Sequence, residues 1–406
     1  PILDKFQDEI FRLPLSHQVV LLGPPGTGKT TTLIRRLGQK LDIQFLDEDE
    51  QRVVQEVATV QGLSHERSWL MFTPTKLLKQ YLKEAFNHEL VPASDQNLRT
   101  WDDHRRELCR QTFGILRTAT GGAFVQRPGL SSLLATTVRN QVEWFADFDH
   151  WQGNSYLQEL TAATQVLQQS NLKPAADLGV TLAAVLGEHQ TWPATLSLLA
   201  EELPRVQSLV SQFRDEIGKR LEAALIAQLQ KNRNFVAEFA AFLDTLQPLD
   251  VDEGDEVDLD EDDEVHAPKV GAQAATNEYY QALRALSRGA ASKRAVNSAS
   301  RSGKIIDWLG DRVLPQGDLS DIGNKLILQT AARRFVAPAR GYLSGMSKRY
   351  RAFRRERQGE RTWYRSEAFD HREVHPLELD VVLLATLRGP LSFRVERDTH
   401  NDQRAD

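Results

Sequence analysis

Gly23-Pro24-Pro25-Gly26-Thr27-Gly28-Lys29-Thr30 is the stretch that decides the expected fold. Four apolar residues, Val19 to Leu22, precede it, and apolar residues at helical spacing follow from Leu33 to Leu41. This order predicts a strand, a glycine-rich turn and a helix, which is the setting of a phosphate-binding loop. A chance glycine turn before a helix is the alternative interpretation.

The residue types in this loop suit a nucleotide triphosphate. Its glycines let the backbone curl so that N–H groups face phosphate oxygens, and the start of the helix adds partial positive charge. Lys29 is the candidate partner of the β and γ phosphates, and the Thr30 hydroxyl is the candidate Mg²⁺ ligand. ATP and Mg²⁺ are the predicted cofactors. Lys29 and Thr30 are the predicted catalytic residues. The residues predicted to bind the nucleotide are Gln7, Gly23, Pro24, Pro25, Gly26, Thr27, Gly28, Lys29, Thr30 and Thr31.

Bulk properties restrict the class of protein. A chain of 406 residues, 41% hydrophobic and 26% charged, is typical of a soluble protein with two or three domains. Apolar runs such as Val381 to Leu384 are too short to span a bilayer, and the first residues lack a secretory pattern. The single cysteine, Cys109, fits a reducing compartment, so a cytoplasmic location is predicted. No convincing base lies near it in sequence, which disfavours a catalytic thiol.

Charge is unevenly distributed along the chain. The formal net charge is −6, but eleven acidic residues lie between Asp250 and Glu264, and 249–266 is predicted to be a disordered acidic loop. A basic and aromatic run extends from Arg333 to Arg365. Arginines interleaved with aromatic residues suit a nucleic-acid backbone and stacked bases, whereas the alternative is the solvated face of a long helix. Contact with nucleic acid is the favoured interpretation.

Four short motifs occur in a particular order near the start of the chain: Gln7, the loop Gly23 to Thr30, Phe72-Thr73-Pro74-Thr75, and Leu98-Arg99-Thr100-Trp101. They resemble the glutamine motif, motif I, motif Ia and motif Ib of superfamily 1 DNA helicases of the UvrD/Rep type. The resemblance covers about the first hundred residues, and motif I is the most specific of the four.

The resemblance implies both a fold and a function. The expected fold is α/β, a RecA-like P-loop NTPase parallel sheet with a large all-helical insertion. It implies single-stranded DNA as partner, with Thr73, Thr75, Thr100 and Trp101 as the DNA-binding residues. Hydroxyl and N–H groups at strand ends can bind phosphates, and a tryptophan can stack on a base. The alternative is that Trp101 anchors a core and that the threonines cap helices.

The chain is expected to have three parts. Residues 1–101 are predicted to be the first part of the ATP-binding domain, 102–370 a helical insertion domain, and 371–406 a helix returning toward the ATPase core. Apolar spacing from Val206 to Leu229 predicts a helix over about 205–246, either in a coiled-coil hairpin or broken near Asn232.

A strand ending in the acidic pair that hydrolysis needs is not evident. Ile43 to Glu48 has that appearance, but it follows the loop helix at once and is interpreted as a decoy. The chain is therefore expected to be the ATP-binding N-terminal part of an ATP-dependent DNA helicase or translocase, inactive alone as an ATP hydrolase. The alternative function is a P-loop ATPase regulatory switch whose helical domain binds a protein partner.

Overall fold

The computed structural model describes residues 5–61, 64–65, 68–118, 121–129, 132–188, 192–246, 271–298, 300–367 and 369–388. The predicted acidic loop at 249–266 lies outside these described residues, as does the chain beyond 388.

Helices dominate the described chain. The helices, in order, are α1 (Lys5–Arg12), α2 (Lys29–Leu41), α3 (Glu48–Gln61), α4 (Lys76–His88), α5 (Trp101–Glu107), α6 (Ala135–Arg139), α7 (Gln141–Gln168), α8 (Lys173–Gly187), α9 (Trp192–Glu201), α10 (Leu203–Lys231), α11 (Phe235–Thr245), α12 (Ala272–Ser292), α13 (Arg301–Leu309), α14 (Gln316–Arg333), α15 (Pro338–Ser344), α16 (Met346–Gly359) and α17 (Pro376–Arg388). The strands are β1 (Met71–Thr73), β2 (Leu98–Thr100), β3 (Val125–Gln126) and β4 (Glu373–Val374).

The prediction of a RecA-like parallel sheet is wrong. The described strands form two separate parallel pairs, β1 with β2 and β3 with β4, and the longest strand has three residues. The apolar segment Val19 to Leu22 forms no strand, and Val20 and Leu22 are 81% and 91% exposed. A buried parallel strand needs a partner on each side, and this segment pairs with none in the described chain.

Two compact units make up the chain, Pro1–Leu130 with Arg372–Leu383, and Ser131–His371 with Leu384–Asp406. In the first unit, α4 connects β1 to β2. The two strands lie parallel, with Met71 opposite Leu98 and Thr73 opposite Thr100. A small core of this unit forms around Ile34 and the stacked rings of Trp69 and Phe86, 5.3 Å apart. This core fixes α2 and α4, the helices that follow the glycine loop and β1.

The second unit is a helical assembly with a large apolar core. In α10, Val206, Phe213, Ile217 and Leu221 are all buried, as helical spacing predicts. The predicted break near Asn232 is confirmed, because α10 ends at Lys231 and α11 begins at Phe235. The Asn232 side chain accepts from the Asn234 N–H at 2.9 Å, an Asx turn that competes with helix continuation.

Candidate nucleotide-binding site

The glycine loop is curled rather than extended. Gly26 and Gly28 have φ of 82° and 76°, in the left-handed region that favours glycine, and Gly28 is the N-cap of α2. The first backbone bond of the helix runs from the Thr32 N–H to the Gly28 carbonyl at 2.9 Å. Within the described chain, the N–H groups from Gly26 to Thr31 donate to no acceptor. The loop therefore presents a row of unused donors at a helix start, which suits an anion.

Lys29 lies back across the loop that precedes it. Its Nζ donates to the carbonyls of Gly23 at 2.7 Å and Pro24 at 2.6 Å. The Thr27 hydroxyl also donates to the Pro24 carbonyl, at 3.0 Å. Carbonyls are neutral acceptors, so a phosphate would be a stronger partner for this ammonium group. The donors and the lysine together fit a polyphosphate chain.

A magnesium ion at this loop would depend on the nucleotide. Among the described residues, no group of three or more His, Cys, Asp or Glu side chains is placed to hold a metal. The Thr30 side chain is exposed at the start of α2. Since Mg²⁺ usually keeps several waters and binds through few protein ligands plus phosphates, Thr30, the triphosphate and water would supply its coordination.

Two sets of contacts, one of them buried, hold α2 in place behind the loop. Arg36 donates to the carbonyls of Ile10, Leu13 and Pro14 at 2.8 to 3.0 Å, which ties α2 to the end of α1. Lys40, 7% exposed, bonds both carboxylate oxygens of Glu50 at 2.6 and 2.8 Å.

Glu50 is at the centre of the second set of contacts, which we call the Glu50 anchor. Its carboxylate also accepts from the Leu15 N–H at 2.7 Å and the Asp47 N–H at 3.1 Å. Burial acts to raise the pKa of Glu50, but the hydrogen bond from Lys40, the two N–H donors and the Lys40 charge outweigh it and lower the pKa. The Glu50 carboxylate therefore stays ionised near neutral pH. Its bond from the Leu15 N–H fixes the chain just before the apolar segment Val19 to Leu22.

Two further predicted features lie in this unit. Gln7 is in α1, the helix that Arg36 ties to α2. The decoy segment contains a 3₁₀ turn, Ile43–Phe45, and the Asp47 carboxylate accepts from the Glu50 N–H at 2.8 Å at the start of α3. Asp47 is therefore a helix-capping residue and ends no strand.

The predicted DNA-binding residues meet at one edge of the β1–β2 pair. Thr73 and Thr100 are the last residues of the two strands and are paired in register. The Thr75 hydroxyl caps α4 by accepting from the Leu78 N–H at 3.2 Å, and the Thr100 hydroxyl caps α5 by accepting from the Asp103 N–H at 3.2 Å. Both capping threonines thus have the local role that was the alternative interpretation; contact with DNA stays a prediction.

Trp101 is both anchored and accessible. Its ring is 38% exposed, its Nε1 donates to the Asp380 carboxylate at 3.0 Å, and it meets the Phe72 ring edge-on at 5.5 Å. Phe72 is itself 44% exposed, and His104 lies 5.1 Å from it. Sequence reasoning missed Phe72 as a site residue, although it lies inside the motif that contains Thr73. The cluster offers an aromatic surface beside the strand ends.

A buried arginine links two acidic residues next to this cluster. Arg105, 5% exposed, donates to Asp380 at 2.8 Å and to Asp102 at 2.5 Å. Burial raises the pKa of Asp380, against the opposing effect of Arg105 and Trp101.

Burial also raises the pKa of the fully buried Cys109 thiol to about 11, so this thiol is no nucleophile near neutral pH.

Two arginines of the basic run belong to the core of the second unit. Arg349 and Arg354 are 3% and 0% exposed. Arg354 donates to the His371 carbonyl at 3.0 Å and lies 4.6 Å from the Phe369 ring. Arg349 lies over the ring of Tyr156 at 5.0 Å. These two side chains are therefore not accessible to nucleic acid in this fold, and contact of the other basic residues of the run with nucleic acid stays a prediction.

Arg357 makes the clearest internal pair of this run. It bonds both oxygens of Asp147 at 2.7 and 2.9 Å, and the Trp363 Nε1 donates to the same carboxylate at 2.7 Å. Burial acts to raise the pKa of Asp147, but these two donors and the Arg357 charge lower it.

Replacing Asp147 with alanine is therefore expected to lower the free energy of unfolding by about 2 kcal/mol, since the largely buried Arg357 guanidinium loses both of its bonds to Asp147 and keeps only Glu356 and Glu360, and the Trp363 N–H loses its acceptor. Asp149→Ala is the matched control on the same helix, because its partner Arg388 is 62% exposed, and it should cost less than about 1 kcal/mol. Urea denaturation of both variants measures the difference. Equal losses would show that the Asp147 pair contributes no more than a surface pair.

Comparison with known proteins gives no match: no family profile, no curated protein and no solved structure matches this chain. The helices of the described residues include none with the length and apolar character needed to cross a bilayer.

Proposed function

We propose that this chain binds ATP with Mg²⁺ at the glycine loop and acts as the ATP-binding part of an ATP-dependent DNA helicase or translocase on single-stranded DNA, in the cytoplasm. The observation that carries the proposal is the curled loop, in which the N–H groups from Gly26 to Thr31 have no acceptor and Lys29 lies beside them. The proposal includes ATP hydrolysis by the whole protein. Lys29 and Thr30 are the residues of this chain that we propose take part in it.

The single-stranded DNA partner is supported by the strand-end cluster. Thr73, Thr75 and Thr100 bring hydroxyl groups to one edge, and Phe72 and Trp101 bring partly exposed rings to it. Aromatic rings accept any base, because every base has a π face, while hydroxyl and N–H groups suit the backbone.

A single-stranded DNA titration tests the proposal. A fluorescent oligothymidine should bind with an affinity that falls steeply as salt rises and that changes little with base sequence. Binding of ATP without any binding of single-stranded DNA would instead favour the regulatory switch with a protein partner.

Trp101→Ala is expected to weaken single-stranded DNA binding about tenfold, because it removes one stacking platform. Trp101→Phe is the matched control: it loses the same hydrogen bond to Asp380 but keeps an aromatic ring, so it should retain most of the affinity. Fluorescence anisotropy measures both. If the two variants bind equally, Trp101 has only the anchoring role.

A further inference from the structure

Arg36 links the helix that starts at the glycine loop to the end of α1. It lies about two turns from the start of α2, or about 10 Å along the helix axis. Within the described residues, its hydrogen bonds go to backbone carbonyls. Nε donates to Ile10 at 2.9 Å, and one terminal nitrogen donates to Leu13 at 2.8 Å and to Pro14 at 3.0 Å. One side chain of α2 therefore holds three carbonyls of another segment.

These carbonyls lie where a helix needs partners from outside. The last carbonyls of a helix have no donor within it, and a cation at that end also interacts favourably with the helix dipole. Ile10 is in the last turn of α1, which ends at Arg12. The Arg36 guanidinium therefore caps the C-terminal end of α1.

Burial contributes little to the attachment of α1. The helix has eight residues, a length that is marginal in isolation. Of its described side chains, Glu9 to Arg12, none is fully buried, and none belongs to the core around Ile34. The position of α1 against α2 therefore depends strongly on the three bonds from Arg36.

The Glu50 anchor restrains the same stretch of backbone. Glu50 accepts from the Leu15 N–H, so Arg36 and Glu50 together hold four backbone atoms between Ile10 and Leu15. Glu50 is itself paired with Lys40 of α2. Both restraints lead back to α2, which begins at the glycine loop, so α2 sets the position of α1 relative to the loop.

A nucleotide requires such a fixed relation between two parts of its site. One ribose joins the base to the phosphates, so the groups that bind base and phosphates must keep a constant separation. Gln7, a predicted nucleotide-binding residue, is in α1, and Lys29 begins α2. A glutamine amide has both a donor and an acceptor, which match N7 and N6–H of adenine, whereas guanine presents acceptors at both N7 and O6.

We propose that Arg36 is a positioning residue for base recognition. It holds α1 so that Gln7 selects adenine over guanine while the glycine loop binds the triphosphate. The inference rests on the proposed binding of ATP at the loop and adds the residue that sets its base specificity. Arg36 acts through α1 and does not itself contact the nucleotide.

Titration of the full chain with ATP, GTP and tripolyphosphate, each with Mg²⁺, tests the proposal. Since a paired contact to a base edge contributes about 10- to 100-fold in discrimination, the unmodified protein should bind ATP at least about tenfold more tightly than GTP. Arg36→Ala should weaken ATP binding about tenfold and leave GTP and tripolyphosphate within about twofold. Arg36→Lys should keep part of the preference, because an ammonium group can still donate to these carbonyls but lacks the planar geometry.

Arg35→Ala is the matched control, since it removes the neighbouring arginine, which bonds Glu89 at 2.5 and 3.0 Å and does not bond α1. Its ratio of ATP to GTP affinity should stay within about twofold of that of the unmodified protein. Gln7→Ala should weaken ATP binding as much as Arg36→Ala does, and the double variant should lose no more than either single one, because both act on one contact.

The outcomes separate this inference from the proposed function. An unchanged ratio in Arg36→Ala overturns the inference, as does a double variant in which the two losses multiply, while ATP binding at the loop stands. If Arg36→Ala weakens tripolyphosphate as much as ATP, Arg36 supports only the loop and the inference is again overturned. Should thermal unfolding show that Arg36→Ala is not folded, the ratio in Arg36→Lys decides in the same way. Failure of the unmodified protein to bind either ATP or tripolyphosphate would overturn the proposed function itself.

Discussion

Replacing Lys29 with alanine is expected to lower the affinity for magnesium-ATP about 100-fold, because its ammonium group lies beside the unused loop donors and is the predicted partner of the β and γ phosphates. The fold should be unaffected, since Lys29 bonds only two carbonyls of its own loop. Titration with a fluorescent ATP analogue measures the affinity, and circular dichroism checks the helices.

Lys76→Ala is the matched control for this substitution. Lys76 is also the first residue of a helix, α4, and its side chain is 83% exposed, with its Asp103 partner at 4.0 Å. It should leave ATP affinity within about twofold, as expected for a loose surface pair. Equal affinity of the Lys29 variant and the unmodified protein would contradict the nucleotide assignment of the loop.

The second large effect is expected on stability. Lys40→Met should lower the free energy of unfolding by about 3 to 5 kcal/mol, because it leaves the Glu50 carboxylate buried without its counter-ion. Arg52→Ala, which breaks only exposed pairs in α3, should cost less than about 1 kcal/mol. Urea denaturation near neutral pH compares the two.

The Glu50 anchor also predicts a pH dependence. Its pKa is lowered in the folded state, so its stabilising contribution is present at neutral pH and is lost as the pH falls below the ordinary value of 4.5 and through the folded value. The difference in stability between the unmodified protein and Lys40→Met should therefore shrink in acid. A difference that stays constant across this range would show that Glu50 does not depend on Lys40 for its charge.

Local patterns predicted the helices well. The apolar spacing from Leu33 to Leu41 corresponds to α2, and that from Val206 to Leu229 corresponds to α10. A helix makes its hydrogen bonds within itself, so its sequence carries most of the signal. The glycines of the loop were equally predictable, because their left-handed backbone is a local requirement at Gly26 and Gly28.

The sheet and the charge partners could not be predicted in this way. Val19 to Leu22 has the composition of a buried strand, but strand formation depends on distant partners that the local pattern does not specify. The same holds for Arg357, whose partner Asp147 is 210 residues away, and for Trp101, whose partner Asp380 is 279 residues away. An arginine next to aromatic residues looks the same in sequence whether it is buried or free.

The division of the first unit between two distant parts of the chain has a consequence for how the protein folds as it is made. Most of the second unit, Ser131–His371, leaves the ribosome as one continuous piece and can fold early, since its contacts do not await the later strand β4. The amino-terminal part is synthesised first yet must wait for Arg372–Leu383, because β4 and Asp380 come from there. Closing so long a loop is slow, so the amino-terminal part of the first unit is expected to fold after Ser131–His371 has formed the bulk of the second unit.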